Sequence, residues 1–179
     1  IPRLSVFQLS RPGVIISCFI RPAPFDFDAD PLDAAIHYGE PVWPGAITVP
    51  LFGETLVPVA SPDFPGIRNV PTPADLIRFP LLHEITRPSA WWEWFIGVGL
   101  EEREALQGAR FDQFSLVSAA AQAGLGVGLI PSFLVEEELA SGRLIIPVDH
   151  KSIGLHKYHL VYPDRNIGMQ LLEEFKDWL

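Results

Sequence analysis

The sequence predicts an α/β protein with mostly parallel sheets, and three observations carry that prediction. Short apolar, β-branched runs alternate with helical segments nearly throughout the 179 residues. Several of those runs are apolar at almost every position, the pattern of strands buried on both faces. Eighteen prolines and fourteen glycines cut the chain into short pieces, with no internal repeat and no low-complexity tract. Strand–helix alternation of this kind favours parallel pairing.

Along the chain, Ile1 to Leu9 carries Leu4 and Phe7 on one helical face and is stopped by Arg11-Pro12-Gly13. Val14 to Ile20 reads as a buried strand. An acidic, proline-punctuated stretch follows, then a short strand over Asp33 to Tyr38. Ile47 to Phe52 and Thr55 to Ala60 read as two strands around a turn at Gly53-Glu54. Ser61 to Pro71 is a Gly/Pro-rich connection. Thr72-Pro73-Ala74-Asp75 is a helix start, with a threonine cap, proline at the first helical position and an acid that reaches back.

Leu81-Leu82-His83 is a brief strand, and Ser89 to Val98 a helix rich in tryptophan, in which Trp91 and Phe95 should face the core together. A strand ending at Phe111, a helix over Ser115 to Ala123, a strand over Val127 to Ile130 and a helix from Ser132 to about Ala140 come next. Strands over Leu144 to Val148 and Tyr158 to Tyr162 precede an amphipathic helix over Met169 to Leu179.

Composition narrows the function. Hydrophobic residues make up 48% and charged residues 20%, enough to fill a core, and the length suits one domain or two small lobes. Twenty-two acids against thirteen bases give a net charge of -9, a poor match to a phosphate backbone. The single cysteine, Cys18, excludes an internal disulfide and a multi-cysteine zinc site, and fits a reducing, cytoplasmic setting. No run reaches the roughly 18 apolar residues of a membrane span. The start shows no signal peptide and no initiator methionine, which suggests a fragment.

Local motifs for catalysis, metals or cofactors fail on spacing. Asp26-Phe27-Asp28-Ala29-Asp30 opens like a calcium loop, but Pro31 and His37 stand where glycine and glutamate are needed. His156 and His159 fall on opposite faces of a strand and read as surface histidines. Gly124-Leu125-Gly126-Val127-Gly128 follows a helix and precedes a strand, the reverse of a dinucleotide loop, and reads as a tight turn. Ser115 lacks a nucleophile elbow and an interpretable acid, so a hydrolase ranks last. At a helix start its hydroxyl could instead hold a carboxylate. No catalytic, metal or cofactor residue is assigned.

Taken together, a longer pattern appears. Asp33-Ala34-Ala35-Ile36-His37-Tyr38-Gly39, Trp43-Pro44-Gly45 and Pro58-Val59-Ala60-Ser61-Pro62 come first. Thr72-Pro73-Ala74-Asp75-Leu76 and Pro80-Leu81-Leu82-His83 with Trp91 and Trp94 follow. Then come Phe111-Asp112, Ser115-Leu116, Gly124-Leu125-Gly126-Val127, Gly142-Arg143-Leu144 and Phe175-Lys176-Asp177-Trp178-Leu179. In order and spacing this resembles the effector-binding domain of LysR-type transcriptional regulators. The Leu-Leu-His…Trp…Trp signature is similar to the subgroup of the glycine-cleavage activator and the β-lactamase regulator.

The resemblance implies a fold like that of periplasmic binding proteins. Two Rossmann-like lobes are joined by two crossing strands, and a small-molecule effector sits in the cleft between them. Lobe one would be 1–60 with 163–179, lobe two 61–162, and the crossings would lie near Val59–Ser61 and Leu160–Pro163. Carried over position by position, the effector residues are His37, Tyr38 and Gly39 after a lobe-one strand, His83 after a lobe-two strand, Phe114 and Ser115 at a helix start, and Tyr158.

The family usually has arginine at His37 and serine or aspartate at Phe114. The resemblance further implies a homodimer or higher oligomer, with Ile1 to Leu9 and Val14 to Ile20 on one side of its interface. It also implies DNA contact only through a winged helix-turn-helix that this chain lacks, together with the first lobe-one strand and its loop. The alternative is a free-standing periplasmic-type solute-binding protein of the same fold.

Overall fold

A computed structural model of the chain describes residues 3–179. In chain order the elements are α1 (Leu4–Leu9), β1 (Ala35–Gly39), β2 (Ala46–Val59), β3 (Leu81–Glu84), α2 (Ala90–Gly97), β4 (Ala109–Phe111), α3 (Phe114–Gln122), β5 (Val127–Pro131), α4 (Glu136–Ala140), β6 (Ser152–Pro163) and α5 (Gln170–Trp178). Ile1 and Pro2, which open the first predicted helix, lie outside the described residues.

Two units divide the chain. The first comprises Ile1–Gly53 and His156–Leu179, the second Glu54–Leu155. The chain passes between them twice, inside β2 and inside β6, at 53/54 and 155/156. The sequence reading put the crossings near residues 60 and 162.

In the second unit, β3 pairs parallel with both β4 and β5, while the end of β2 pairs antiparallel with β5. Parallel neighbours need a crossover of a dozen or more residues, and α2 and α3 supply them between β3, β4 and β5. β3, β5 and the end of β2 are buried on both faces. Leu56, Leu81 and Leu129 pack with Trp91, Trp94 and Phe95 of α2. Their immediate neighbours Val57, Leu82 and Ile130 pack with Val117, Ala120 and Ala121 of α3. The alternation of successive side chains thus gives one strand two cores. Trp91 and Phe95 do stack, 5.5 Å apart, and the Trp91 indole N–H donates to the Leu82 carbonyl at 3.0 Å, fixing α2 against β3.

In the first unit, β1 runs antiparallel to β6, with Tyr38 opposite Tyr158 and His37 opposite His159. Val161 joins Phe27 and Trp43 on one face, while Leu160 and Tyr162 meet Leu172 of α5 on the other. Phe7 of α1 is buried against Phe175 and Trp178 of α5 at 5.2 and 5.3 Å.

Several sequence expectations are corrected. The pairing is mixed rather than mostly parallel: β3 runs parallel to β4 and β5, whereas β1 with β6 and β2 with β5 run antiparallel. Val14–Ile20 forms no strand: Ile15 is 88% exposed and Phe19 61%. An apolar β-branched run becomes a strand only beside a hydrogen-bonding neighbour, and none of the described residues pairs with this one.

Gly53-Glu54 makes no turn. β2 continues through it, because the Glu54 carboxylate is buried against Arg87 instead of facing water. Leu144–Val148 contributes a single bridge, Ile145 to Ala60. The segment from Ser132 is a 3-10 turn followed by the short α4. The Thr72 start forms as expected, with Thr72 N–H and hydroxyl donating to Asp75 at 3.1 and 2.6 Å, but its helix is 3-10 throughout. His159 is buried, not on the surface.

Candidate functional site

The parallel strands of the second unit aim their carboxyl ends at the starts of α2 and α3, where open α/β sheets bind ligands. A pocket of about 260 Å3, counting the solvent-open space at its mouth, lies there. Its polar lining is His83, Glu84 and Arg87, and Phe114 and Trp91 are among its apolar walls. The chain just past β3 turns tightly: Arg87 N–H donates to the Glu84 carbonyl at 3.1 Å, and Thr86 N–H to the Glu84 carboxylate at 3.0 Å. Both charged side chains are thereby held at the strand end.

Arg87 is paired with the buried Glu54, and its guanidinium lies 5.4 Å from the centre of the Phe114 ring. A planar cation on an aromatic face with a carboxylate at its edge has little freedom to rotate. Sequence reasoning found Phe114 but missed Arg87, Glu84 and Glu54. The missing signal was Glu54 itself, a charge in the middle of a strand-forming run that was assigned to a turn.

His83 is 2% exposed and lies within β3 rather than after it. Its Nε2 is 2.8 Å from the Gln107 carbonyl, which can only accept, so the proton sits on Nε2. Nδ1 is buried without a hydrogen-bond partner among the described residues. Burial, and secondarily the charge of Arg110, hold its pKa below the ordinary 6.5, against the opposing pull of the Gln107 carbonyl. The ring is therefore neutral at pH 7.

Ser115 is exposed at the first turn of α3 and donates to the Gln113 side chain at 3.3 Å. It does not line the pocket. Phe114 does, so of the three second-unit candidates the structure brings His83 and Phe114 together and leaves Ser115 at the surface.

In the first unit, His37, Tyr38 and Gly39 are the last residues of β1, not a loop beyond it. Strand alternation sends His37 and Tyr38 to opposite faces. Tyr38 meets Tyr158 at 5.0 Å and His156 at 5.7 Å, its hydroxyl accepts the His156 backbone N–H at 3.3 Å, and the Phe52 ring lies tilted against Tyr158 at 5.2 Å. This aromatic patch joins two predicted residues with two that were missed.

His37 instead faces Trp43, edge to face at 5.3 Å. Burial lowers its pKa, and repulsion from His159 and His156 adds to that, with a backbone contact at Glu40 opposing. Gly39, at φ +151°, leaves room for the His37 ring. A Cβ there would lie 2.6 Å from His37 Nε2. Among the described residues no group of three or more His, Cys, Asp or Glu could hold a metal, and no helix is long and apolar enough to cross a membrane.

The pattern that defines the family described as "LysR substrate binding domain" matches residues 1–179. The chain belongs to that family. Over its whole length it is 32% identical to the glycine cleavage system transcriptional activator of Escherichia coli strain K12, of which it covers 59%. It is 36% identical, over 82% of its length and 51% of the relative's, to the HTH-type transcriptional regulator TrpI of Pseudomonas aeruginosa.

Among solved structures, the effector domain of the transcriptional regulator AmpR of Pseudomonas aeruginosa matches with a TM-score of 0.85 at 27% identity, covering 99% of this chain and 84% of that one. The AmpR effector-binding domain from Citrobacter freundii matches at 0.85 and 28%, covering 99% and 88%. This LysR-family chain thus spans about half to three-fifths of the length of the curated relatives it matches. Those relatives are transcriptional regulators, which are not enzymes, and none is a free-standing solute-binding protein.

Proposed function

We propose that the chain is the effector-sensing domain of a LysR-type transcriptional regulator, that it binds a small molecule without transforming it, and that it works in the cytoplasm. The family match along all 179 residues carries this reading. The pocket at the carboxyl ends of the parallel strands supports it. Phe114, Arg87 and His83 are the candidate contacts in the second unit; Tyr38 and Tyr158 are those in the first. Ser115 and His37 remain weaker candidates, one pointing to solvent beside Gln113 and the other packed on Trp43, and Gly39 acts through the shape of β1. In the full-length regulator, effector binding would bias a dimer or higher oligomer and so reposition separate DNA-binding domains, a coupling between two distinct sites.

A metabolite library screened by thermal shift tests this reading. At least one small molecule should raise the melting temperature of the chain, and the shift should shrink in Phe114→Ala. A library without a single stabilising compound would overturn it.

A further inference from the structure

Glu84 is 6% exposed and lines the pocket, yet its carboxylate is only half provided for. One oxygen, Oε2, accepts from the Thr86 N–H and hydroxyl. The other, Oε1, has no hydrogen-bond or ion-pair partner among the described residues, and it is not sealed from solvent. The nearby cation does not serve it, because Arg87 is paired with Glu54. Glu84 and Arg87 are thus the two ionised side chains that line this pocket, and the charge of Arg87 is matched by Glu54. A carboxylate this buried, satisfied only by neutral donors on one side, is expensive unless a cation completes it.

We infer that Glu84 Oε1 is the recognition point for a protonated amine on the effector, with the ligand's apolar part against Phe114 and Trp91. This rests on the effector-sensing reading and narrows it to amine-bearing ligands. A charge-assisted hydrogen bond in a partly dry pocket discriminates strongly against a neutral isostere, because the carboxylate must still be desolvated with nothing to meet it.

Three probes of similar shape test the inference on the 179-residue chain by calorimetry: isobutylamine, isobutanol and isovalerate. Isobutylamine should bind, while isobutanol and isovalerate should bind at least about tenfold more weakly, the ratio expected for one hydrogen bond to a charged group. Glu84→Gln should erase the preference for the amine over the alcohol. Should that variant fail to fold, the wild-type ranking still decides. Equal binding of amine and alcohol, preference for isovalerate, an unchanged preference in folded Glu84→Gln, or no binding of the amine each overturn the inference. The effector-sensing reading falls separately, only if the metabolite library also yields no ligand.

Discussion

The buried Glu54 carboxylate is ion-paired with Arg87, thirty-three residues away, and the same guanidinium rests on Phe114. β2, the turn after β3 and the start of α3 are thereby tied at one point beside the pocket. Breaking a buried pair by removing one partner leaves a desolvated charge behind, which costs about 3–5 kcal/mol. Glu54→Gln and Arg87→Met should each destabilise the chain by roughly that amount in urea unfolding. The double variant Glu54→Leu with Arg87→Met should cost clearly less than the sum. Additive losses would mean that the two groups do not interact in solution.

The pH dependence of stability follows from His83 and His37. Both have pKa values held below the ordinary 6.5, chiefly by burial. Below that value the unfolded chain takes up protons that the folded chain refuses, so stability should fall as pH drops from about 6.5 and stay flat with respect to these groups above it. His83→Gln keeps a neutral polar side chain and should flatten the slope below pH 6.5. An identical slope in the variant, measured as melting temperature against pH, would remove His83 from the account.

Glycines in the second unit separate two kinds of requirement. At Gly108 a Cβ would lie 2.0 Å from the Leu81 carbonyl oxygen, and φ is +142°. Gly108→Ala combines a backbone collision with strain and should cost at least about 3 kcal/mol. Gly124, with φ +74° and open space around it, carries only the left-handed penalty, and Gly124→Ala should cost about 1–2 kcal/mol. Denaturant midpoints of the two variants should rank in that order; the reverse would contradict the packing described around β3.

How much of this was legible in the sequence depends on what each residue answers to. β3, α2, α3 and β5 were readable because local pattern and tertiary environment agree: their apolar positions face cores on both sides of the sheet. Val14–Ile20 carries the same local pattern and forms no strand, since pairing depends on a neighbour that pattern alone does not reveal. Glu54 failed for the opposite reason. Its charge reads as a break in the strand, and only the distant Arg87 makes it a strand residue. The resemblance named Phe114 and Tyr158 as candidates. It did not reveal that His37 and Tyr38 lie on opposite faces, which follows from their falling inside β1. Glu84 and Arg87 were overlooked because charged residues after a strand look like ordinary solvated loop.

The packing of α1 on α5 gives a last prediction. By helical periodicity Phe175 shares the apolar face of the final helix with Met169 and Leu172. In the structure Phe175 is only partly buried, whereas Phe7 is 1% exposed, meets both Phe175 and Trp178, and has the Arg11 guanidinium 4.2 Å from its ring centre. Arg11 also pairs with Glu174 of α5 at 2.5 Å, but that pair is solvent-accessible and contributes little by itself. Phe7→Ala should therefore cost about 3–5 kcal/mol, the range for a fully buried aromatic, and Phe175→Ala less. Arg11→Ala should fall well below both. If chemical denaturation ranks Phe175→Ala as the costlier of the two phenylalanine variants, α5 is held chiefly by its contacts with Leu160 and Tyr162, and α1 is not the element that fixes it.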